Sequence, residues 1–589
     1  MYARTAGSCI FSAMQRIISV FFALSLVGCG GHIPEVLVAD TVLVNGNVIT
    51  VDPEDTIAQA VAIKNGRIVA VGTDAEIRKL AGEDTRVIDL AGRTATPGLL
   101  DAHCHFARGG TDMLQVSDLS YPKVKGIQDV LGDVEKQVEG KTGGDWIQGR
   151  GWDEGKLEER RYIYASDLDP ISGENPVWLT HTMGHYGVAN SLALKLANIT
   201  KNTPDPPGGT IDRYPDGTPT GVLKERAQGL VTRLIPPVTV EEIQEGIEHV
   251  AKEFHKEGMT GLKDPGIGTA EWEAYQSALD AGTLPVRVFV LWRAGSTVEE
   301  AEALAARIGS FTKPYRSTGD DHLISGGIKL AIDGSGGART AWLHEPWNKD
   351  YTGVDEGNYG YPVIPPEILR QQIRLFHDAR MHVSVHSIGD RAIDWVVDSY
   401  AMALEANPQK GLRHGIIHAN IPTDHAIDTM AKLEAEFDAG YPEPSAPFMW
   451  WIGDTYVGNF GPERAKRLNP FKTFVAKSIR WAGASDFGVT PFPARFGIWA
   501  SVARKPALGV YDKDPYGREE AVDVKTALRS YTIWSAHQMF LEDEIGSLEP
   551  GKYADIAVWD KNLYEIPTEE LETIQCQMTL FQGEVVFER

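Results

Sequence analysis

The middle of this chain alternates short apolar runs with longer stretches of helical periodicity. Eight runs have the length and composition of buried strands: one that ends at His105, then residues 259–263, 286–292, 326–332, 382–386, 415–418, 446–450 and 480–485. Helical stretches lie between them, for example 240–256, 299–308, 366–379 and 390–406. Strands that alternate with helices are typical of a parallel sheet, and eight of them predict a (β/α)8 TIM barrel within the α/β class.

The two ends of the chain contain short β-rich runs separated by tight turns. Asn45-Gly46 and Asn65-Gly66 each lie between such runs, which is a hairpin signal. Similar runs with glycine turns return at 545–548, 554–559 and 583–587. We therefore predict one β-sandwich domain built from residues 36–95 and 540–589, and a barrel at 96–539 with an insertion at about 106–257.

The first 29 residues are typical of a secretory signal peptide. Arg4 and Arg16 precede an apolar run at 17–26, which is too short to span a bilayer. The run ends in Leu-Val-Gly-Cys, which resembles a bacterial lipobox and predicts a lipid anchor on Cys29. This places the protein in a bacterial cell envelope, attached to the membrane and facing the periplasm or exterior. A plain secretory signal is the alternative, and translation could start at Met1 or Met14.

The overall charge excludes some partners. The formal net charge of −24 argues against nucleic acid, because phosphate binding needs clustered Lys and Arg. Beyond the signal peptide only Cys104 and Cys576 remain, so a disulfide framework is not supported. We expect a small-molecule partner, and a homodimer is left open.

Polar side chains follow several of the predicted strands at the point where each strand ends. The pair His103 and His105 projects to one face of the first strand, but such a pair alone is weak evidence for a metal site. Barrel enzymes have their active sites at the carboxyl ends of the strands. In this chain, side chains that can bind a metal lie at several of these strand ends. The full set is His103, His105, Lys329, His386, His418 and Asp486. Imidazole and carboxylate groups suit divalent ions such as zinc.

Several segments together resemble the metal-dependent amidohydrolase superfamily, and in particular its amidohydrolase-3 branch, which includes N-substituted formamide deformylases. They are 96–105 (TPGLLDAHCH), 185–191 (HYGVANS), 328–334 (IKLAIDG), 386–392 (HSIGDRA), 485–491 (SDFGVTP) and 545–556 (IGSLEPGKYADI). The resemblance covers nearly everything from about residue 40 to 589. It implies a (β/α)8 barrel with a β-sandwich, in agreement with the strand pattern.

The resemblance also implies a role for each strand-end residue. One or two divalent ions, foremost zinc, would be bound, and the assignments are these: His103 and His105 to the more buried ion, His386 and His418 to a second ion, Lys329 as a carboxylated bridge, and Asp486 as the catalytic acid/base. Two positions depart from the family pattern. Ile417 replaces the usual Glu before His418, and Cys104 replaces the usual small residue between the first two histidines. We expect Cys104 to be a small buried hydrophobe.

These assignments predict a hydrolase of non-peptide carbon–nitrogen bonds, with an N-acyl or N-formyl amide as substrate. A metal lowers the pKa of water toward about 7, which gives hydroxide to attack the carbonyl, and Asp486 would pass the proton to the leaving nitrogen. His185, Asp333 and Arg339 are weaker candidates for substrate contact.

Two other functions remain open. A nucleobase deaminase of the same superfamily is disfavoured, because those enzymes usually place a Glu about three residues after the strand-five ligand, and residues 387–389 are Ser-Ile-Gly. A non-catalytic binding lipoprotein is disfavoured by the retained Asp486 and histidines. A serine hydrolase is unsupported, because the chain has no Gly-x-Ser-x-Gly elbow.

Overall fold

The computed structural model of this protein describes residues 37–310, 312, 321–348, 357–510 and 516–589. The predicted signal peptide and the predicted anchor Cys29 lie outside the described residues. Within those ranges, no helix has both the length and the apolar character needed to cross a membrane.

The described strands are β1 Ala39–Val44, β2 Asn47–Ile49, β3 Ile57–Ala58, β4 Ala60–Lys64, β5 Arg67–Gly72, β6 Ala81–Asp89, β7 Thr94–Pro97, β8 Leu99–Asp101, β9 Ser117–Asp118, β10 Ile147–Trp152, β11 Val177–His181, β12 Tyr186–Ala189, β13 Gly209–Arg213, β14 Pro219–Glu225, β15 Met259–Ile267, β16 Arg287–Arg293, β17 Leu323–Ala331, β18 His382–Ser387, β19 Gly415–His418, β20 Tyr441–Glu443, β21 Ile556–Trp559, β22 Cys576–Phe581 and β23 Glu584–Glu588.

The longer described helices are Phe106–Gln115, Ile127–Glu139, Val240–His255, Thr269–Asp280, Val298–Ile308, Pro366–Asp378, Asp390–Ala406, Asp424–Phe437, Gly453–Phe460 and Ala494–Ala503. The shorter ones are Asp74–Ile77, Ala165–Leu168, Ser191–Leu196, Gly229–Thr232, Phe448–Trp451, Pro462–Ala465, Phe471–Ala476, Val524–Ser530, Ile533–Gln538 and Thr568–Leu571, and 3-10 turns lie at Arg78–Leu80, Arg226–Gln228 and Arg518–Glu520.

A curled parallel sheet forms the centre of the molecule, with the order β20-β19-β18-β17-β16-β15-β8. Residues 481–487 are not a regular strand, yet they lie between its two edge strands. Backbone hydrogen bonds join this segment to both edges: Ala482 N–H to Pro442 O, Ala484 N–H to Pro444 O, Ala102 N–H to Gly483 O and Asp486 N–H to His103 O. The segment therefore takes the place of an eighth strand and closes the sheet on itself.

The predicted seventh strand is wrong, and the predicted eighth, at 480–485, is not a regular strand. Residues 446–450 were expected to form the seventh strand, but that strand is Tyr441–Glu443, and a helix at Phe448–Trp451 follows it. Pro447 adopts helical φ and ψ at the start of this helix, and its carbonyl accepts the N–H of Trp451 at 2.7 Å. A short apolar run looks the same in a buried strand and in a buried helix. Here Pro447 favours the helix, because its fixed φ suits the start of a helix.

The insertion after β8 contains a sheet of its own, with the order β13-β14-β12-β11-β10-β9. This sheet covers residues between 117 and 225 and has separate buried apolar clusters. The helices that flank it, Phe106–Gln115 and Val240–His255, instead pack into the barrel's main cluster. They approach each other at Gly110 and Gly246, where a Cβ on Gly110 would lie 2.2 Å from the Gly246 carbonyl oxygen. The separate sheet therefore lies inside the predicted insertion at about 106–257.

The two ends of the chain form two further sheets, β5-β4-β1-β6 and β23-β22-β21-β7-β2-β3. Side chains from both sheets share one buried apolar cluster, which includes Leu43, Val61, Ile556 and Leu580. β7 runs through Gly98 into β8, the first strand of the barrel. A buried ion pair between Arg287 of β16 and Asp555, at 2.9 Å, also ties these sheets to the barrel.

Candidate metal centre

The six predicted strand-end residues lie together at the carboxyl end of the curled sheet. His103 and His105 follow β8, and Asp486 lies in the segment that closes the sheet. Lys329, His386 and His418 belong to the neighbouring strands β17, β18 and β19. All six line one cavity of about 660 Å³. Parallel strands present their carboxyl ends on the same side, which explains the convergence of residues separated by up to 383 positions (486 − 103).

The tightest part of this cluster is formed by His103, His105 and Asp486. Nε2 of each histidine lies 3.3 Å from Oδ1 of Asp486. One potential ligand atom from each of the three residues falls within 4.8 Å of the others. A single small cation could therefore contact all three side chains.

His386 and His418 complete the ring of imidazoles. His386 Nε2–H donates to the carbonyl oxygen of Gly334 at 2.9 Å, which leaves the lone pair of Nδ1 for another partner. His418 Nδ1 lies 3.3 Å from Ser445 Oγ, a hydroxyl that can accept, and its Nε2 lies 3.9 Å from Asp486 Oδ2. The two rings are 4.7 Å apart between centroids. Oxygen partners of this kind fix the tautomer of metal-binding histidines.

The backbone at this end of the sheet is strained. His418 has φ of 69°, Ala419 of 41° and Asp486 of 58°, values that favour glycine. Each such residue costs on the order of 1–3 kcal/mol, and strain of this kind clusters at functional sites. Burial of the surrounding strands holds these conformations in place.

Asp101 is a positioning residue that the sequence reasoning missed. Its buried carboxylate accepts the backbone N–H of His103 at 3.0 Å and that of Ser485 at 3.1 Å, and it also accepts the Ser485 hydroxyl. It therefore joins the first strand end to the segment that carries Asp486. Burial raises the pKa of Asp101 to about 7. Its place in the 96–105 motif was visible, but its partner is 384 residues away.

The electrostatics keep the imidazoles neutral. Burial, together with the nearby Lys329, lowers the pKa of His103 well below its usual value, and burial does the same for His386 and His418. Burial also lowers the pKa of Lys329 to about 7. Burial alone would raise the pKa of Asp486, but the imidazoles of His103 and His105, whose Nε2 atoms lie 3.3 Å away, hold it well below the usual range. At neutral pH the site thus presents neutral imidazoles and a carboxylate.

His185 reaches the same cavity from the insertion. It precedes β12, and its ring centroid lies 5.1 Å from that of His386. Its Nδ1–H donates to Glu225, at 3.0–3.1 Å from the two carboxylate oxygens, and Thr340 Oγ1–H donates to the same carboxylate. Glu225 is strained, with φ of 49° and ψ of −126°. The sequence reasoning missed Glu225, because only the pairing of β12 with β14 brings it next to His185.

The other two weak candidates differ in their positions. Asp333 lines the cavity, but its carboxylate accepts the backbone N–H groups of Trp342, Ile388 and Gly389 at 2.9–3.1 Å. Burial raises the pKa of Asp333 to about 7. Arg339 is buried and is not among the described residues that line the cavity. Substrate contact by either residue stays a prediction.

The donor set fits a divalent cation. Neither ring nitrogen of His103 makes a hydrogen bond, although the side chain is buried. Buried polar atoms are normally hydrogen-bonded, so this histidine lacks a partner of the kind that a metal ion supplies. Cys104, between the two histidines, lies in the main apolar cluster with its pKa raised by burial, which confirms its interpretation as a small buried hydrophobe.

Comparison with known proteins agrees with this geometry. The model of the amidohydrolase family matches residues 86–587. The chain is 29% identical over 551 residues to YtcJ of Bacillus subtilis (strain 168), named as an amidohydrolase, with 92% of this chain and 98% of that protein covered. It is 29% identical over 562 residues to the N-substituted formamide deformylase of Arthrobacter pascens, with 93% and 98% covered.

A solved structure is also similar over nearly its whole length. An uncharacterized metal-dependent hydrolase from Pyrococcus furiosus matches with a TM-score of 0.65 at 26% identity, which covers 89% of this chain and 100% of that one. The chain therefore belongs to the amidohydrolase family. The predicted family is confirmed, and with it the prediction of a hydrolase that acts on carbon–nitrogen bonds.

Proposed function

We propose that this protein is a metal-dependent hydrolase of non-peptide carbon–nitrogen bonds, that its substrate is an N-acyl or N-formyl amide, and that Asp486 is its acid/base. The observation that carries the proposal is the convergence of four histidines, Lys329 and Asp486 in one cavity. The formamide deformylase among the relatives supports the choice of an amide substrate.

The ligand assignment follows from the available lone pairs. His103 and His105 would hold one ion, and Nδ1 of His386 with Nε2 of His418 would hold a second. Carboxylated Lys329 would supply an oxygen to both. A bound zinc ion or a similar divalent ion would lower the pKa of water toward about 7 and polarise the substrate carbonyl.

Asp486 is placed to move the proton that the reaction releases. Its low pKa leaves it ionised at neutral pH, so it can accept a proton from the attacking water. An amine leaves poorly unless it is protonated, and Asp486 would deliver that proton to the leaving nitrogen. His185, held by Glu225, would contact the substrate. Asp333 and Arg339 are the remaining candidates for substrate contact, although Arg339 is not among the described residues that line the cavity.

Three further assignments are part of this proposal. The two sheets formed by the chain ends would be the faces of one β-sandwich, which packs its shared cluster between them. Residues 1–29 would be a lipoprotein signal peptide, with Cys29 anchored to the membrane of a bacterial cell envelope. A homodimer is a further expectation.

The decisive experiment is a substrate screen with protein of known metal content. Purified protein is analysed for bound metals, treated with a chelator and then given zinc, and each form is assayed against N-formyl amines, N-acyl amines and nucleobases. We expect one or two ions per chain and amide hydrolysis that is lost with the metal and restored by zinc. Ammonia release from nucleobases alone would favour the deaminase. A folded protein that binds no metal would favour a non-catalytic binding protein.

A further inference from the structure

The cavity that contains the candidate centre extends well beyond the proposed ligands. Its volume of about 660 Å³ is that of a site for a small organic molecule. Its outer wall includes the guanidinium groups of Arg108, Arg226 and Arg293. These cations stand out in a chain with a formal net charge of −24.

The carboxylates that line the same cavity are already engaged within the protein. Their partners are the imidazoles of His103 and His105 for Asp486, His185 for Glu225, Arg150 for Asp112, and backbone N–H groups for Asp333 and Glu300. Among the described residues, Arg226 and Arg293 form no ion pair with these carboxylates, and Arg108 forms one, with Asp112 at 3.6 Å.

Arg293 is oriented by the backbone. It is the last residue of β16, and the parallel register pairs it with Lys329 of β17. Its Nε–H donates to the carbonyl oxygen of Gly266 at 3.1 Å, which orients the guanidinium. Among the described residues, no carboxylate forms an ion pair with Arg293. Its remaining N–H groups can therefore serve a ligand in the cavity.

Arg108 lies on the same wall. It is in the first turn of the helix Phe106–Gln115, three residues after His105, and its side chain is 69% exposed. Its contact with Asp112 is a weak 3.6 Å, and Arg150 takes the same carboxylate oxygen at 3.3 Å. Arg108 and Arg293 therefore line one cavity, where a bound anion would offset their positive charges.

We propose that Arg293 and Arg108 bind an anionic substituent of the substrate, so that the preferred substrate is an amide that also carries a carboxylate group. A guanidinium matches a carboxylate with two parallel hydrogen bonds, and such charge-assisted pairs are stronger than neutral ones. This assignment rests on the proposed amide hydrolysis at the same site. It narrows the substrate class from amides in general to acidic amides.

The test compares each acid with its neutral carboxamide. N-formyl and N-acyl derivatives of glycine and phenylalanine are assayed beside the corresponding amino acid amides, with the metal-loaded full chain. We expect kcat/KM to favour the acid by about 10-fold to 100-fold, mainly through KM. In Arg293→Gln this ratio should fall at least about tenfold, and Arg293→Lys should restore part of it. Arg374→Gln, which alters an exposed arginine paired with Asp378 outside the cavity, should keep the wild-type ratio.

A binding measurement separates this proposal from the proposed function. Calorimetric titration of metal-loaded Asp486→Asn with the same acids and amides needs no turnover, and we expect the acid to have a Kd at least about tenfold lower. Equal Kd values for the acid and the amide would overturn the anion site. So would a preference for the acid that persists in Arg293→Gln, because the metal alone would then bind the carboxylate. Preference for a phosphonate over the carboxylate would overturn the carboxylate assignment. Tight binding of the acid without hydrolysis by the wild type would instead leave the anion site supported and the proposed function wrong.

Discussion

The candidate centre of the barrel and a second cluster in the insertion contain the same kinds of side chain. In the second cluster Asp153, Glu154 and His181 are all buried, and one potential ligand atom from each lies within 4.8 Å of the others. His181 Nε2 is 3.1 Å from Glu154 and 3.9 Å from Asp153. By composition and spacing alone, both clusters would qualify as metal sites.

The tautomer of the histidine separates the two clusters. His181 Nδ1 accepts the backbone N–H of Met183 at 3.1 Å, so its proton must be on Nε2, the atom that faces the carboxylates. In the barrel, His386 directs its protonated nitrogen away to a carbonyl, and its lone pair is left over. His181 turns its protonated Nε2 toward the carboxylates, 3.1 Å from Glu154, so it offers no lone pair to a metal there. A cluster of this kind can bind a metal only where a histidine nitrogen has a lone pair that is not used in a hydrogen bond.

The first prediction tests which cluster binds the metal by removing one histidine from each. His103→Ala should lose the bound metal, and hydrolysis should fall by at least about 10³-fold, because the ion supplies both the nucleophile and the polarisation of the carbonyl. Metal analysis and amide hydrolysis measure the effect. His181→Gln is the matched control and should keep the wild-type metal content. Loss of metal from folded His181→Gln, with His103→Ala still loaded, would reverse the roles assigned to the two clusters.

The second prediction tests the carboxylate of the barrel cluster. Asp486→Asn keeps the size of the side chain but cannot accept a proton, so kcat should fall by about 10²-fold to 10⁴-fold. Metal content should stay within a factor of two of the wild type, because the histidines remain. Equal activity in Asp486→Asn and the wild type would exclude Asp486 as the acid/base.

Much of this site could be predicted from the sequence, because its residues end apolar runs. His386 and His418 follow β-rich segments whose predicted bounds nearly coincide with β18 and β19. Asp101, Glu225 and Arg293 were not predicted, because their roles depend on partners that only strand pairing and barrel closure bring close. The error at 446–450 has a local cause, since an apolar run that begins near Pro447 is compatible with either a strand or a helix.

The third prediction uses pH to compare histidines that have the same tautomer. His414 resembles His181 in that its Nδ1 accepts a backbone N–H, from Val383, but its other nitrogen faces His377 and no carboxylate. Burial lowers the pKa of His414 to about 3, whereas the charge of Glu154 outweighs burial and raises the pKa of His181. The unfolded chain therefore binds a proton at His414 below pH 6.5 that the folded protein does not bind. Stability should fall as pH drops from 6.5 toward 3, by about 1.4 kcal/mol per pH unit from this residue.

Thermal unfolding of wild type and His414→Gln at pH 7.5 and pH 5.0 checks this effect. The Tm of the wild type should exceed that of the variant by less at pH 5.0 than at pH 7.5, because only the wild type carries the buried neutral imidazole. For His181→Gln the sign is opposite. The stability that the raised pKa of His181 contributes is present below pH 6.5 and is lost as pH rises through the folded pKa. The same pH trend in both variants would mean that Glu154 does not set the protonation of His181.

The smallest effect is expected from the hydroxyl groups that support each cluster. Ser445→Ala removes the oxygen 3.3 Å from His418 Nδ1, and metal affinity should fall by about tenfold, the lower end for such supporting contacts. Tyr186→Phe removes the hydroxyl that donates to Glu154 at 2.7–2.8 Å, and should reduce stability by about 1 kcal/mol without a change in metal affinity. Competition with a chelator measures the first variant, and thermal unfolding the second. A tenfold loss of metal affinity in Tyr186→Phe, with none in Ser445→Ala, would place the metal beside Glu154. That result would contradict the tautomer assigned to His181, in which Nδ1 accepts a hydrogen bond and Nε2 carries the proton.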